Sequence, residues 1–206
     1  VSENPLWEKG FRIWMLGMTA QWMGVMGNHA NSVAPLLIST EQGYFKSTFC
    51  KSLLPPVLRR YYMDKVDLTS QGNVERRLAE MGLLNLDEFD KYAPTKMPLL
   101  KNLMQMASLS LCKAYQKNYR VLPRIASFIG TSNRKDLLTD PTGSRRFICV
   151  LVEYPIDCEG IDYAQLYAQL KAEILAGEHY WFTKEEETEL QQSNMMFYRQ
   201  GPVEDV

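Results

Sequence analysis

The sequence predicts an α/β fold, a three-layer α/β/α sandwich. Short apolar runs end in polar turns, amphipathic helical stretches alternate with them, and a lysine–serine pair sits where the first run gives way to a helix. The 206 residues suit one domain with short appendages, long enough to bury a real core. At 46% hydrophobic, the chain is not disordered as a whole, and its net charge of -1 excludes a uniformly polybasic binder.

Residues 5–27 read as an amphipathic helix, with Pro5 in its first turn and Trp7, Phe11, Trp14, Met15, Met18 and Trp22 at helical spacing. Core packing explains that face better than a partner does. Val33–Ile38 is a buried strand with Pro35 near its start. Ser39–Lys46 is a loop, and Ser47–Leu54 a helix ended by Pro55-Pro56. Asn73–Met81 is helical, Gly82–Leu86 a second strand ending in Asp87-Glu88, and Lys96–Ala107 a helix. Leu109–Arg120 reads ambiguously, as a strand and a hairpin tip. Arg124–Thr131 and Arg146–Val152 are the third and fourth strands, and Tyr163–Ala176 and Lys184–Tyr198 the closing helices. The expected division is an N-terminal helical segment over 1–30, a core over 31–155 and a C-terminal helical segment over 156–206.

Cys50, Cys112, Cys149 and Cys158 form no CxxC pair, and His29 and His179 are isolated, so neither a zinc site nor a disulfide framework is expected. Unpaired thiols fit a reducing, cytoplasmic compartment. No stretch approaches the ~18 apolar residues of a membrane span. The chain opens at Val1 directly into a helical pattern, as expected of a domain excised from a longer protein.

The sharpest local signal is Glu41-Gln42-Gly43-Tyr44-Phe45-Lys46-Ser47-Thr48. A phosphate-binding loop needs inward backbone amides, a lysine for the β/γ-phosphates and a hydroxyl for magnesium. Gln42, Gly43, Tyr44, Phe45, Lys46, Ser47 and Thr48 are the candidate nucleotide-binding residues. The pattern G-x-x-x-x-G-K-[ST] is incomplete: Thr40 and Phe45 occupy the two glycine places, and Phe45 does not readily take the positive φ that glycine tolerates. The plainer reading is a Lys-Ser pair at an ordinary helix start. Leu83–Leu86 ending in Asp87-Glu88 supplies the second element, a carboxylate for magnesium beside one for water. Ser127–Ser132 ending in Asn133 supplies a water- or γ-phosphate-sensing amide. Asp140-Pro141-Thr142-Gly143-Ser144-Arg145-Arg146-Phe147 supplies two arginines able to reach a phosphate, in their own subunit or a neighbour's.

Together with Asn31-Ser32-Val33-Ala34-Pro35-Leu36-Leu37 and Asn85-Leu86-Asp87-Glu88-Phe89-Asp90, these blocks resemble the virulence-associated protein E family of phages and integrated elements, over roughly Trp22 to Trp181. That family is similar to superfamily 3 helicases and other AAA+ ATPases of the P-loop NTPase class. The resemblance implies that Lys46 and Ser47 match the Walker A lysine and hydroxyl. Asp87 and Glu88 then match Walker B, Asn133 sensor 1, and Arg145 or Arg146 the arginine finger. It implies ATP and Mg2+ as cofactors, a homo-oligomeric ring, and an associated or fused primase domain.

Between Lys91 and Lys135 there is no Asp or Glu, while Lys91, Lys96, Lys101, Lys113, Lys117, Arg120, Arg124, Arg134 and Lys135 are interleaved with Tyr92, Tyr115 and Tyr119. Cations with aromatics suit a nucleic-acid backbone and stacked bases, and Lys113, Lys117, Tyr119 and Arg120 are the densest part. In the resembling helicases a DNA-contacting hairpin lies there. The plainer reading is a solvated face balancing Glu185-Glu186-Glu187. The leading expectation is an ATP-dependent nucleic-acid motor acting without sequence preference. The alternatives are a degenerate nucleotide-binding module without turnover and a P-loop small-molecule kinase.

Overall fold

The computed structural model describes residues 1–112, 119–139 and 141–199. Helix α1 spans Pro5–Met23; the Asn4 side chain accepts from Leu6 N at its start, and Gly24, at φ 70°, closes its end. Strand β1 (Ala34–Ile38) follows, then α2 (Lys46–Ser52), β2 (Tyr62–Met63), α3 (Gln71–Glu80), β3 (Leu83–Leu86) and α4 (Met97–Gln105). Strands β4 (Ser108–Cys112) and β5 (Tyr119–Pro123) pair antiparallel as a separate hairpin. Strand β6 (Ser127–Ser132), β7 (Phe147–Leu151), α5 (Tyr163–Leu175) and α6 (Lys184–Ser193) complete the chain.

Five strands form one parallel sheet in the order β2-β3-β6-β1-β7. Strand alternation separates two cores. Leu37, Leu83, Ile129 and Ile148 face a layer containing Trp14, Leu54, Leu170 and Leu190, whereas Leu36, Leu84, Leu86 and Phe128 face Leu78, Leu100 and Leu103. One layer therefore holds α1, α2, α5 and α6 and the other α3 and α4. The sandwich is as predicted, with flanking helices packed on it. Trp7 and Trp14 are buried, so the aromatic face of α1 is core.

Pro35 precedes the start of the β1–β6 ladder at Leu36, so its missing N–H breaks no bond on that side. Gly130 sits where β6 passes between β3 and β1. A Cβ there would lie 2.5 Å from Leu36 Cδ2 and 3.1 Å from the Leu86 carbonyl, so any side chain would force Leu36 and the neighbouring strand to shift. Two features differ from the sequence reading. The edge strand β2 was not expected, because two residues carry no periodicity. The third strand begins at Ser127 rather than Arg124, because Arg124 turns inward and is fully buried.

Candidate nucleotide site and nucleic-acid face

Parallel pairing brings the ends of β1, β3 and β6 to one edge of the sheet, where ligands of open α/β folds bind. The loop after β1 carries Gln42, Gly43 and Thr48 exposed and Tyr44 half-buried. Gly43 takes φ 79°, and Phe45 takes φ 58°, ψ 25°, the left-handed conformation that the missing glycine would have adopted freely. The loop thus holds a phenylalanine in left-handed backbone, at a cost of about 1–2 kcal/mol.

Lys46 opens α2 and is buried. Its Nζ donates to Asn133 Oδ1 at 3.0 Å, the Ser39 carbonyl at 3.2 Å and the Glu41 carbonyl at 3.5 Å. Desolvation lowers the Lys46 pKa, opposed by the charges of Asp87 and Asp90. Ser47 Oγ donates to Asp87 Oδ1 at 3.2 Å, and Thr131 Oγ1 donates to the same oxygen at 2.7 Å. Thr131 Oγ1 also accepts from Glu88 N at 3.3 Å. Glu88 stands at φ 51°, ψ 51°, its carboxylate paired with Lys91. Ser132 Oγ donates to Asp90 Oδ1 at 2.8 Å, and Asn133 N lies 3.4 Å from it.

Lys46, Ser47, Asp87 and Asn133 are thus brought to one edge, where Glu88 joins through its backbone N–H. Thr131 and Asp90 lie within the quoted blocks but carry no role there. Their signal is register: Leu86 is opposite Gly130, which sets Asp87 beside Thr131. One carboxylate beside a hydroxyl is a donor set magnesium could accept, since Mg2+ uses one or two carboxylates and fills its other positions with water or phosphate oxygens. No group of three or more His, Cys, Asp or Glu side chains suited to a metal occurs among the described residues.

Arg145 and Arg146 do not join this edge. They end a short 3-10 segment, Pro141–Arg146, that enters β7 at Phe147, and Phe147 pairs with Ala34 at the start of β1. The length of β7, ~13 Å at ~3.3 Å per residue, separates them from their own subunit's loop. Arg145 Nη1 lies 3.6 Å from Glu187.

The hairpin β4–β5 occupies the place where the sequence reading put a hairpin tip, and Arg120 on it is exposed. Lys113 and Lys117 lie outside the described residues, as does the side chain of Tyr119. The cationic stretch is less uniform than its sequence. Arg124 is fully buried: it donates to the carbonyls of Asn31, Leu103, Met104, Met106 and Ala126, and burial lowers its pKa to about 9. Tyr92 donates to the Val66 carbonyl and is half-buried, and Arg134 pairs with Asp136. Lys9 and Arg12 on α1 pair with Glu186 and Glu173, and Glu186 also completes a capping box with Thr183. The acidic run thus docks α6, beyond its role at the helix start.

Fold and edge geometry define a three-layer α/β/α sandwich on a five-stranded parallel sheet. The chain belongs to the virulence-associated protein E-like domain family, whose model matches residues 1–199. No curated protein matches. Among solved structures, the apo NrS-1 C-terminal region (305–718) is similar, with a TM-score of 0.50 at 15% identity, covering 94% of this chain and 52% of that one. The A-form apo structure of that region (305–718) gives a TM-score of 0.46 at 17% identity, covering 96% and 44%. The chain spans about half the length of the structures it matches. No helix among the described residues is long and apolar enough to cross a membrane.

Proposed function

We propose that the chain is an ATP-dependent nucleic-acid motor module of a phage or mobile-element replication protein. The observation that carries this reading is the hydrogen-bonded convergence of Lys46, Ser47, Asp87 and Asn133 at one edge of the parallel sheet. Residues 31–155 are the ATPase core, with 1–30 and 156–206 as the flanking segments. Lys46 and the loop amides from Gln42 to Thr48 hold phosphates, and Ser47 and Asp87 hold Mg2+, which supplies charge neutralisation of the phosphates. Lys46 now donates to Asn133 and two carbonyls, so phosphate binding exchanges those bonds for stronger charge-assisted ones. Glu88, once released from Lys91, accepts the proton of the attacking water, and Asn133 orients that water.

Arg145 and Arg146, at the far end of β7, serve the site of a neighbouring copy, which supports a ring. The hairpin, through Lys113, Lys117, Tyr119 and Arg120, contacts nucleic acid, for which we favour DNA without sequence preference. A primase domain in the same or an associated chain fits this role, as does a cytoplasmic compartment. Isothermal titration with a non-hydrolysable ATP analogue and Mg2+ tests the site. The heat of binding disappears in Lys46→Ala if the reading is right, and an unchanged heat sinks it.

A second reading, nucleotide binding without turnover, is favoured by Phe45 in the loop and by the Glu88–Lys91 pair. Phosphate release with DNA present, compared between wild type and Lys46→Ala, separates the two.

A further inference from the structure

Phe45 breaks the glycine pattern yet takes the glycine conformation, at φ 58°. Its ring is not spent on the core: the residue is 53% exposed and belongs to neither hydrophobic cluster. It lines a cleft of about 520 Å³ that starts at the phosphate loop. One wall is the face of α2 bearing Thr48, Lys51 and Ser52, side chains three and four residues apart. The other wall is the segment after β7, including Ile156 and Glu159. That segment is pinned to the loop, since Val152 N donates to the Ile38 carbonyl at 2.8 Å and Ile156 N to the Tyr44 carbonyl at 3.3 Å.

Sheet order orients a nucleotide in this frame. Asp87 and Asn133 follow β3 and β6, on one side of β1, whereas the cleft is built from the segment after β7, on the other side. A triphosphate with its terminal phosphate toward Asp87 and Asn133 directs its nucleoside end toward the cleft. Strain retained at a site edge, together with an exposed aromatic, is the pattern of a residue kept for contact with a ligand.

We propose that this cleft is the nucleoside subsite of the phosphate loop, with the Phe45 ring as its stacking platform. The inference rests on the phosphate-loop reading and adds to it a role for the residue that departs from the motif. Stacking of a base on an aromatic ring is sequence-tolerant, so the platform accepts the nucleoside of any nucleotide.

The test compares ATP with inorganic tripolyphosphate, each with Mg2+, by isothermal titration. Wild type binds ATP about tenfold more tightly than tripolyphosphate if the base stacks. In Phe45→Gly the ratio falls toward one. Glycine suits the positive φ, so this variant folds, and circular dichroism checks that it does. Phe45→Trp keeps the platform and keeps the ratio. Equal binding of both ligands by wild type, or an undiminished ratio in Phe45→Gly, overturns the inference and leaves the phosphate-loop reading standing. Failure of wild type to bind either ligand overturns both.

Discussion

Phe45 and Glu88 are the non-glycine residues with positive φ among the described residues, and both stand beside Asp87 and Lys46 in the candidate site. Left-handed backbone costs a side-chain-bearing residue free energy, so its appearance at two positions around one edge supports the proposed ligand site there. Glu88→Gln is expected to abolish phosphate release while leaving nucleotide affinity largely intact, because an amide cannot take the water's proton. Turnover equal to wild type would remove Glu88 from the reaction. Arg124 is the opposite kind of residue: a cation placed entirely inside, with backbone carbonyls as its hydrogen-bond partners. Arg124→Ala leaves those carbonyls bare, and urea denaturation should show a loss of about 3 kcal/mol or more. A linear count of charge could not foresee this, since the sequence places Arg124 in a run of solvated cations and only the packing of α4 against β6 reveals its burial.

The elements were legible where local pattern and tertiary demand agree. The strand, loop and helix around Lys46 are contiguous in sequence, so their apolar run and polar turn sufficed. The strand ends at Asp87 and Asn133 were legible for the same reason, but the hydrogen bond from Thr131 to Asp87 was not, because it depends on β3 pairing with β6, about forty residues apart in sequence. Strand β2 is held by its neighbour β3 rather than by its own two residues. Helix α6 docks through Glu186. Burial pushes that carboxyl's pKa up, but the Thr183 backbone amide, Lys9 and His179 outweigh it and the net shift is downward. A carboxyl depressed in the folded state adds stability above its unfolded pKa and loses it as pH falls through the folded value. Thermal melts should therefore show wild type losing ground below about pH 4, and Glu186→Gln showing a flatter acid limb. Equal acid limbs would mean that α6 does not dock through this charge. On the hairpin, replacing Lys117 and Arg120 together by alanine should weaken single-strand binding for all sequences alike. The salt slope should fall by about 1.4, two phosphates at ~0.7 each. An unchanged slope in fluorescence anisotropy would place the nucleic acid elsewhere.

At the scale of the whole molecule, the proposed nucleotide site and the Arg145–Arg146 pair lie at opposite ends of the parallel strands. The sequence left open whether Arg145 and Arg146 serve their own phosphate or a neighbour's, and the length of β7 favours the neighbour. Mixing Lys46→Ala with Arg146→Ala subunits should restore part of the phosphate release that each lacks alone; no rescue, with wild-type activity independent of concentration, would point to a self-sufficient monomer. The same separation of ends restricts symmetry. A twofold dimer can join two unlike poles only by lying antiparallel, each copy's arginine end against its partner's loop end. The proposed ring joins the poles head to tail instead, and on that reading a stack that does not curve shut would leave one site per assembly without its cation. On the proposed reading, closure rather than affinity between any two copies would complete the last site.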